Sequence, residues 1–171
     1  MKYNPDIHHR KSVRIPGYDY AQDGWYFVTI CTHNHNVLLG NVVNGEMVLN
    51  EYGQIVSKIW KWLPEQYKYI KLHEWIIMPN HLHGIIEYHN DGRGGARTAP
   101  TDIKIKPLGR IIGAFKTVST KHINKIQNTP GHKLWQRNYY EHIIRNEKDL
   151  NRIREYIIYN PLKWPEDKYY V

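Results

Sequence analysis

Apolar and polar positions along this chain follow two different periods, and the switches between them mark its elements. Residues 24–32, GWYFVTICT, are aromatic and β-branched, the composition of a strand. Residues 33–36, HNHN, read as a turn that leaves His33 and His35 without fixed geometry. Residues 37–50 break into short extended pieces around Asn44-Gly45, a pair suited to a two-residue hairpin turn. The period then lengthens. Asn50 can cap a helix in which Ile55, Ile59 and Leu63 recur at i, i+4 and i+8, with Pro64 as a kink or an end. Strand patterns return at 69–79 and 81–88, on either side of Pro79-Asn80. Pro107 suits the first position of a second helix, with Leu108, Ile111, Ile112, Phe115 and Val118 in one stripe. Residues 134–145 read as another strand. Asn146 caps a third helix with Leu150, Ile153 and Ile157 on its core face, stopped by Pro161. The order β, α, β, α, β, α has no internal repeat, which predicts an α+β fold, a sheet with helices packed on it. One domain over 1–171 is expected, with a basic N-terminal segment 1–23 and a flexible, glycine-rich loop 89–106.

Composition narrows the function classes. The 171 residues are 41% hydrophobic and 13% aromatic, the profile of a folded chain with a real core. No apolar run approaches the roughly 20 residues needed to cross a bilayer. The first residues form no apolar leader, and the single cysteine, Cys31, cannot make an internal disulfide. A cytoplasmic location with no membrane partner is therefore expected. The formal net charge of +8 favours a polyanionic partner such as nucleic acid. Arg10, Lys11 and Arg14 near the start, and Arg110 and Lys116 outside the stripe of the second helix, are the candidate phosphate contacts.

Two chemistry-bearing groups stand out. His81 and His83 alternate with Leu82 on one strand, so both imidazoles share a face, about 6–7 Å apart along the backbone. Such a pair can converge on one divalent cation. On its own, His-x-His is more often two half-buried polar residues at a sheet end. The last helix adds Arg152, Tyr156 and Asn160 at spacings of four, one row at the border of its apolar stripe. That row offers a phosphate contact, a nucleophile and a polar metal ligand.

These segments together carry a resemblance. MPNHLHGII, from Met78, resembles the His-hydrophobic-His signature of the HUH single-tyrosine transposases. YIIYNP, from Tyr156, resembles the Tyr-x-x-x-Asn-Pro helix of their REP-associated branch, and so do the opening RKSVRIPGYDYAQDGWYFVTICTHN and the closing WQRNYYEHIIRNEKDLNRIREYIIYNP. The match runs from about Arg10 to Trp164. It implies a ferredoxin-like antiparallel sheet with packed helices, the HUH endonuclease fold. It implies His81, His83 and Asn160 as metal ligands, Mg²⁺ or Mn²⁺ as the cofactor, and Tyr156 as the nucleophile.

The activity implied is a transposase-like cleavage and rejoining of single-stranded, hairpin-forming DNA through a 5′-phosphotyrosine. A phenol with a pKa near 10 is a poor nucleophile at neutral pH, and a phosphodiester repels attack, so a cation at the site has a clear use. Arg152 would hold a phosphate. Tyr139 and Tyr140 are rival nucleophiles by residue type but fall on a strand. Family relatives include monomers and dimers that share the tyrosine helix, so a homodimer is among the implied states. Two other readings stay open on the residues alone: a non-catalytic binder of structured nucleic acid, and a metal-dependent nuclease that uses water.

Overall fold

Alternation along β1 (Gly24–Cys31) and β5 (His81–Tyr88) divides the interior into two cores. The structure, a computed structural model, describes residues 14–89 and 105–171. Arg10, Lys11 and most of the basic loop fall outside them. Tyr26, Val28 and Ile30 of β1 and Leu82 and Ile86 of β5 join one core. Val56, Ile59, Trp60 and Leu63 of α1 (Glu51–Gln66) and Leu108, Ile111, Ile112 and Phe115 of α2 (Leu108–Gln127) complete it. Phe27 and Ile85 point the other way, onto Ile153 and Ile157 of α3 (Glu147–Tyr159).

The sheet adds β4 (Ile70–Met78) and β6 (Tyr140–Ile144) in the order β4-β5-β1-β6, each neighbouring pair antiparallel. The connection β1-α1-β4-β5-α2-β6 is the expected ferredoxin-like α+β arrangement, and α3 covers the second face. Trp60 lies against β5 at Gly84, where an added Cβ would stand 2.6 Å from Trp60 Cζ2. Glycine is what lets the indole reach the sheet. β2 (Gly40–Val43) and β3 (Glu46–Leu49) form a separate hairpin. Its turn puts Asn44 at φ 53° and Gly45 at φ 77°, the left-handed pair that Asn-Gly supplies.

Both predicted asparagine caps form: Asn50 accepts from the Gly53 N–H and Asn146 from the Asp149 N–H. Other boundaries differ from the pattern. Pro64 lies in the last turn of α1, and the helix runs through it to Gln66. Pro107 has ψ 155°, so it caps α2 from outside and Leu108 begins it. The strand expected over 134–145 is formed only at Tyr140–Ile144. Before it, Lys116 Nζ donates to the carbonyls of Gln136 and Asn138, and Trp135 Nε1 donates to Ser119 Oγ. These bonds tie 135–138 to α2, and only an isolated bridge, Trp135 to Thr32, reaches toward the sheet. Among the described residues, no helix is long and apolar enough to cross a membrane.

Candidate active site

The α3 side of β1 and β5 changes character along the strands. Phe27 and Ile85 are apolar and packed on α3. The register then places Thr29 opposite His83 and Cys31 opposite His81, toward the end of the sheet. Thr29, His81 and His83 are all buried. His81 Nε2 and His83 Nε2 stand 3.0 Å apart. The convergence expected from their shared strand face is thus present.

Neighbouring polar groups orient the two rings. Asn80 Nδ2 donates to the carbonyls of His35 and Tyr169, so its Oδ1 is the atom that accepts from His81 Nδ1–H at 2.8 Å. With Nδ1 protonated, neutral His81 carries its lone pair on Nε2. His83 Nδ1 meets Thr29 Oγ1 at 2.8 Å, and a hydroxyl can accept there as well as donate. When it accepts, His83 Nε2 also presents a lone pair. Two lone pairs at 3.0 Å repel unless a proton or a cation lies between them. Burial drives the His81 imidazole down to about 4, partly opposed by Asp167. Burial, and then the charge of His81, holds His83 well below its ordinary value. Both rings are neutral at neutral pH, the form that binds a metal.

α3 delivers the other half. Tyr156 Oη is 3.2 Å from His83 Nε2 and 3.5 Å from Asp167 Oδ2. Its ring meets Phe27 edge-on, and Tyr156 lines a cleft of about 320 Å³ together with Arg152 and Lys163. Burial first, and the charge of Asp167 second, raise its pKa above the ordinary 10. Asn160, one turn on, is buried and keeps helical dihedrals (φ −58°, ψ −43°) despite the proline that follows. Its Nδ2 donates to Asp167 Oδ2 at 2.8 Å, and its Oδ1 is buried with no hydrogen-bond partner among the described residues.

Asp167 comes from a stretch that carried no sequence signal. After Pro161 the chain turns back through a one-turn helix, Trp164–Glu166, with Trp164 buried near the His81 ring. Asp167 Oδ1 then accepts from the Tyr169 N–H, and the Tyr169 ring lies 4.7 Å from that of His81. Ligand atoms of His81, His83 and Asp167 all lie within 4.8 Å of one another. Two imidazole nitrogens and a carboxylate form a mixed N/O donor set of the kind that holds a metal ion.

The remaining predicted contacts scatter. Arg152 pairs with Asp149 at 2.7 Å and flanks the Tyr156 cleft. Arg14 reaches Tyr139 at 3.3 Å and Glu141 at 3.9 Å. Arg110 is exposed on α2, and Lys116 is tied to backbone carbonyls. The rival Tyr139 is held by Arg14, whereas Tyr140 is exposed and meets Phe27 edge-on at 6.3 Å. His35, expected to be unconstrained, stacks on Tyr169 and bonds to Gln136. Thr29 and Asn80 had a readable signal, a hydroxyl within an apolar strand and an amide beside the first histidine.

No family model matches the chain. A Haemophilus influenzae protein of undescribed function is 41% identical over 99% of this chain and 98% of its own length. A second protein from that organism, named as a candidate REP-associated tyrosine transposase, is 26% identical over 85% of this chain and 74% of its own length. The solved structure of a REP-associated tyrosine transposase bound to a REP hairpin superposes with a TM-score of 0.62. That likeness covers 91% of this chain and 76% of the other, at 19% identity, and shows the fold.

The chain is thus similar in sequence to a candidate REP-associated tyrosine transposase and shares the fold of a solved one.

That likeness supports a transposase-like function. It gives the convergence of Tyr156, His81 and His83 a chemical context that buried polar residues alone would lack.

Proposed function

We propose that this chain cleaves and rejoins single-stranded, hairpin-forming DNA, with Tyr156 as the nucleophile. The observation that carries this reading is the Tyr156 hydroxyl, 3.2 Å from one of two converging imidazole nitrogens and 3.5 Å from a carboxylate. The hairpin bound by the solved relative supports the form of the substrate. His81 and His83 would hold Mg²⁺ or Mn²⁺ through Nε2, with Asp167 and Asn160 Oδ1 as oxygen donors. The bound cation would supply positive charge against the non-bridging phosphate oxygens.

The chain's own groups do the rest. Asn80 and Thr29 accept from the two Nδ1–H groups and keep both Nε2 lone pairs forward. Arg152 and Lys163 border the cleft through which the strand reaches Tyr156. Tyr156 Oη attacks phosphorus in line, forming a P–O bond as the bond to the 3′ oxygen breaks. The phenolic proton passes to solvent water in the open cleft, and solvent water protonates the departing 3′ oxygen. The products are a 5′-phosphotyrosine and a free 3′-OH. The ester keeps the energy of the broken bond, so attack by a 3′-OH rejoins the strand without a nucleotide cofactor.

The test is incubation with hairpin-bearing single-stranded DNA and Mn²⁺, read as a protein–DNA adduct on a denaturing gel. Wild type should form the adduct, and Tyr156→Phe should reduce both adduct and cleavage to background while still binding DNA. Tyr139→Phe and Tyr140→Phe should retain the adduct. Cleavage by Tyr156→Phe without any wild-type adduct would instead establish water as the nucleophile.

A further inference from the structure

The positive charge of this chain is not spread evenly. Residues 105–140 contain seven Lys or Arg and no Asp or Glu, a formal +7 set against +8 for the whole chain. Within that stretch, a groove of about 840 Å³ opens between the second half of α2 and residues 130–137. Lys121, Lys125, Lys133 and Arg137 line it, all four exposed, and no acidic residue does. None of the four has an ion-pair partner among the described residues. Lys121 and Lys125 are one helical turn apart, so their amines share a face. The floor is mainly apolar, with exposed Pro130 at its edge and the buried Leu134 and Trp135 beneath it.

The groove leads to the reaction site by direct contacts. Gln136, on its lining, bonds to His35 Nε2 at 2.8 Å. The His35 ring stacks on Tyr169 at 5.7 Å, and the Tyr169 ring lies 4.7 Å from that of His81.

We propose that this groove holds the single-stranded nucleic acid flanking the bond attacked by Tyr156, with Lys121, Lys125, Lys133 and Arg137 on its phosphates. The proposal rests on the strand-cleaving reading above. Charge complementarity selects a polyanion, and the floor selects an unpaired one. A duplex keeps its bases stacked inside and leaves an apolar floor bare, whereas an unpaired strand offers phosphates to the cations and base faces to the floor.

The experiment compares wild type with Lys121→Gln/Lys125→Gln/Lys133→Gln in the full chain. Fluorescence anisotropy follows a labelled hairpin oligonucleotide with single-stranded flanks, titrated from low to high NaCl. Each lost single-strand phosphate contact lowers the salt slope by about 0.7, so the triple variant should flatten it by about 2 and bind roughly 100-fold more weakly near 0.1 M salt. Thermal melting should not change, and the matching triple Lys→Arg variant should keep the wild-type slope. An unchanged slope in the Gln variant, with wild type still forming the tyrosine adduct, overturns the groove alone. A flattened slope with no wild-type adduct upholds the groove and removes the tyrosine reading. A blunt duplex that loses as much affinity as the flanked hairpin overturns the single-strand assignment, and no wild-type binding overturns both ideas.

Discussion

Leu82 and His83 are neighbours on β5, and their side chains enter different interiors. Leu82 joins the larger core, where Trp60, Phe115 and their neighbours close the sheet face with apolar surface. His83 enters the face covered by α3, where the apolar cluster is small and gives way to Thr29, His81 and Tyr156. Both side chains are almost fully buried. They differ in what surrounds them: Leu82 needs shape, and His83 needs partners for its nitrogens. The comparison teaches a division of labour. The closed face stabilises the sheet, and the other face can then give up apolar burial for a polar site whose tyrosine stays 40% exposed.

Breaking the closed face should have the largest effect. Trp60→Ala removes a fully buried indole and should destabilise the fold by about 3–5 kcal/mol, read by urea unfolding. Tyr156→Phe on the other face should stay within about 0.5 kcal/mol of wild type, because the ring contacts survive. Equal losses from the two would erase the contrast.

The next effect sharpens the contrast through pH. His81 has a folded value of about 4 against an ordinary 6.5, and His83 is shifted in the same direction. In that window the unfolded chain binds protons that the folded chain does not. Stability should be full above about pH 6.5 and fall as the pH drops toward 4. Unfolding free energies across that range should flatten in His81→Gln/His83→Gln, and an equally steep curve would locate the acid sensitivity elsewhere.

A smaller effect separates the two oxygen donors. Asp167→Ala removes a charge and should weaken Mn²⁺ binding by at least about tenfold, measured by calorimetry. Asn160→Ala removes a neutral carbonyl and should cost less. The reverse order would make Asn160 the principal oxygen ligand. The smallest effect belongs to Arg152→Gln, which breaks an exposed i, i+3 pair with Asp149 and should change stability by about 0.5 kcal/mol or less.

Much of this division could be read in the chain alone. Period-2 alternation put His81 and His83 together and Leu82 opposite them. The 3.6-residue period put Tyr156 and Asn160 on one helical row. Asn-Gly formed its turn, and both asparagine caps formed, because each depends on atoms within a few residues. Tertiary structure decided the rest. Thr29 became the partner of His83 only through the β1–β5 register, and Asp167 entered the site only when burial of Trp164 brought the chain back across His81. The strand pattern over 134–145 lost its first half to Lys116 and Ser119 of α2, donors and acceptors that lie well before it in sequence. Local periodicity fixes where a side chain points on its own element. Which element it meets depends on packing between segments far apart in sequence, and no short window contains that information.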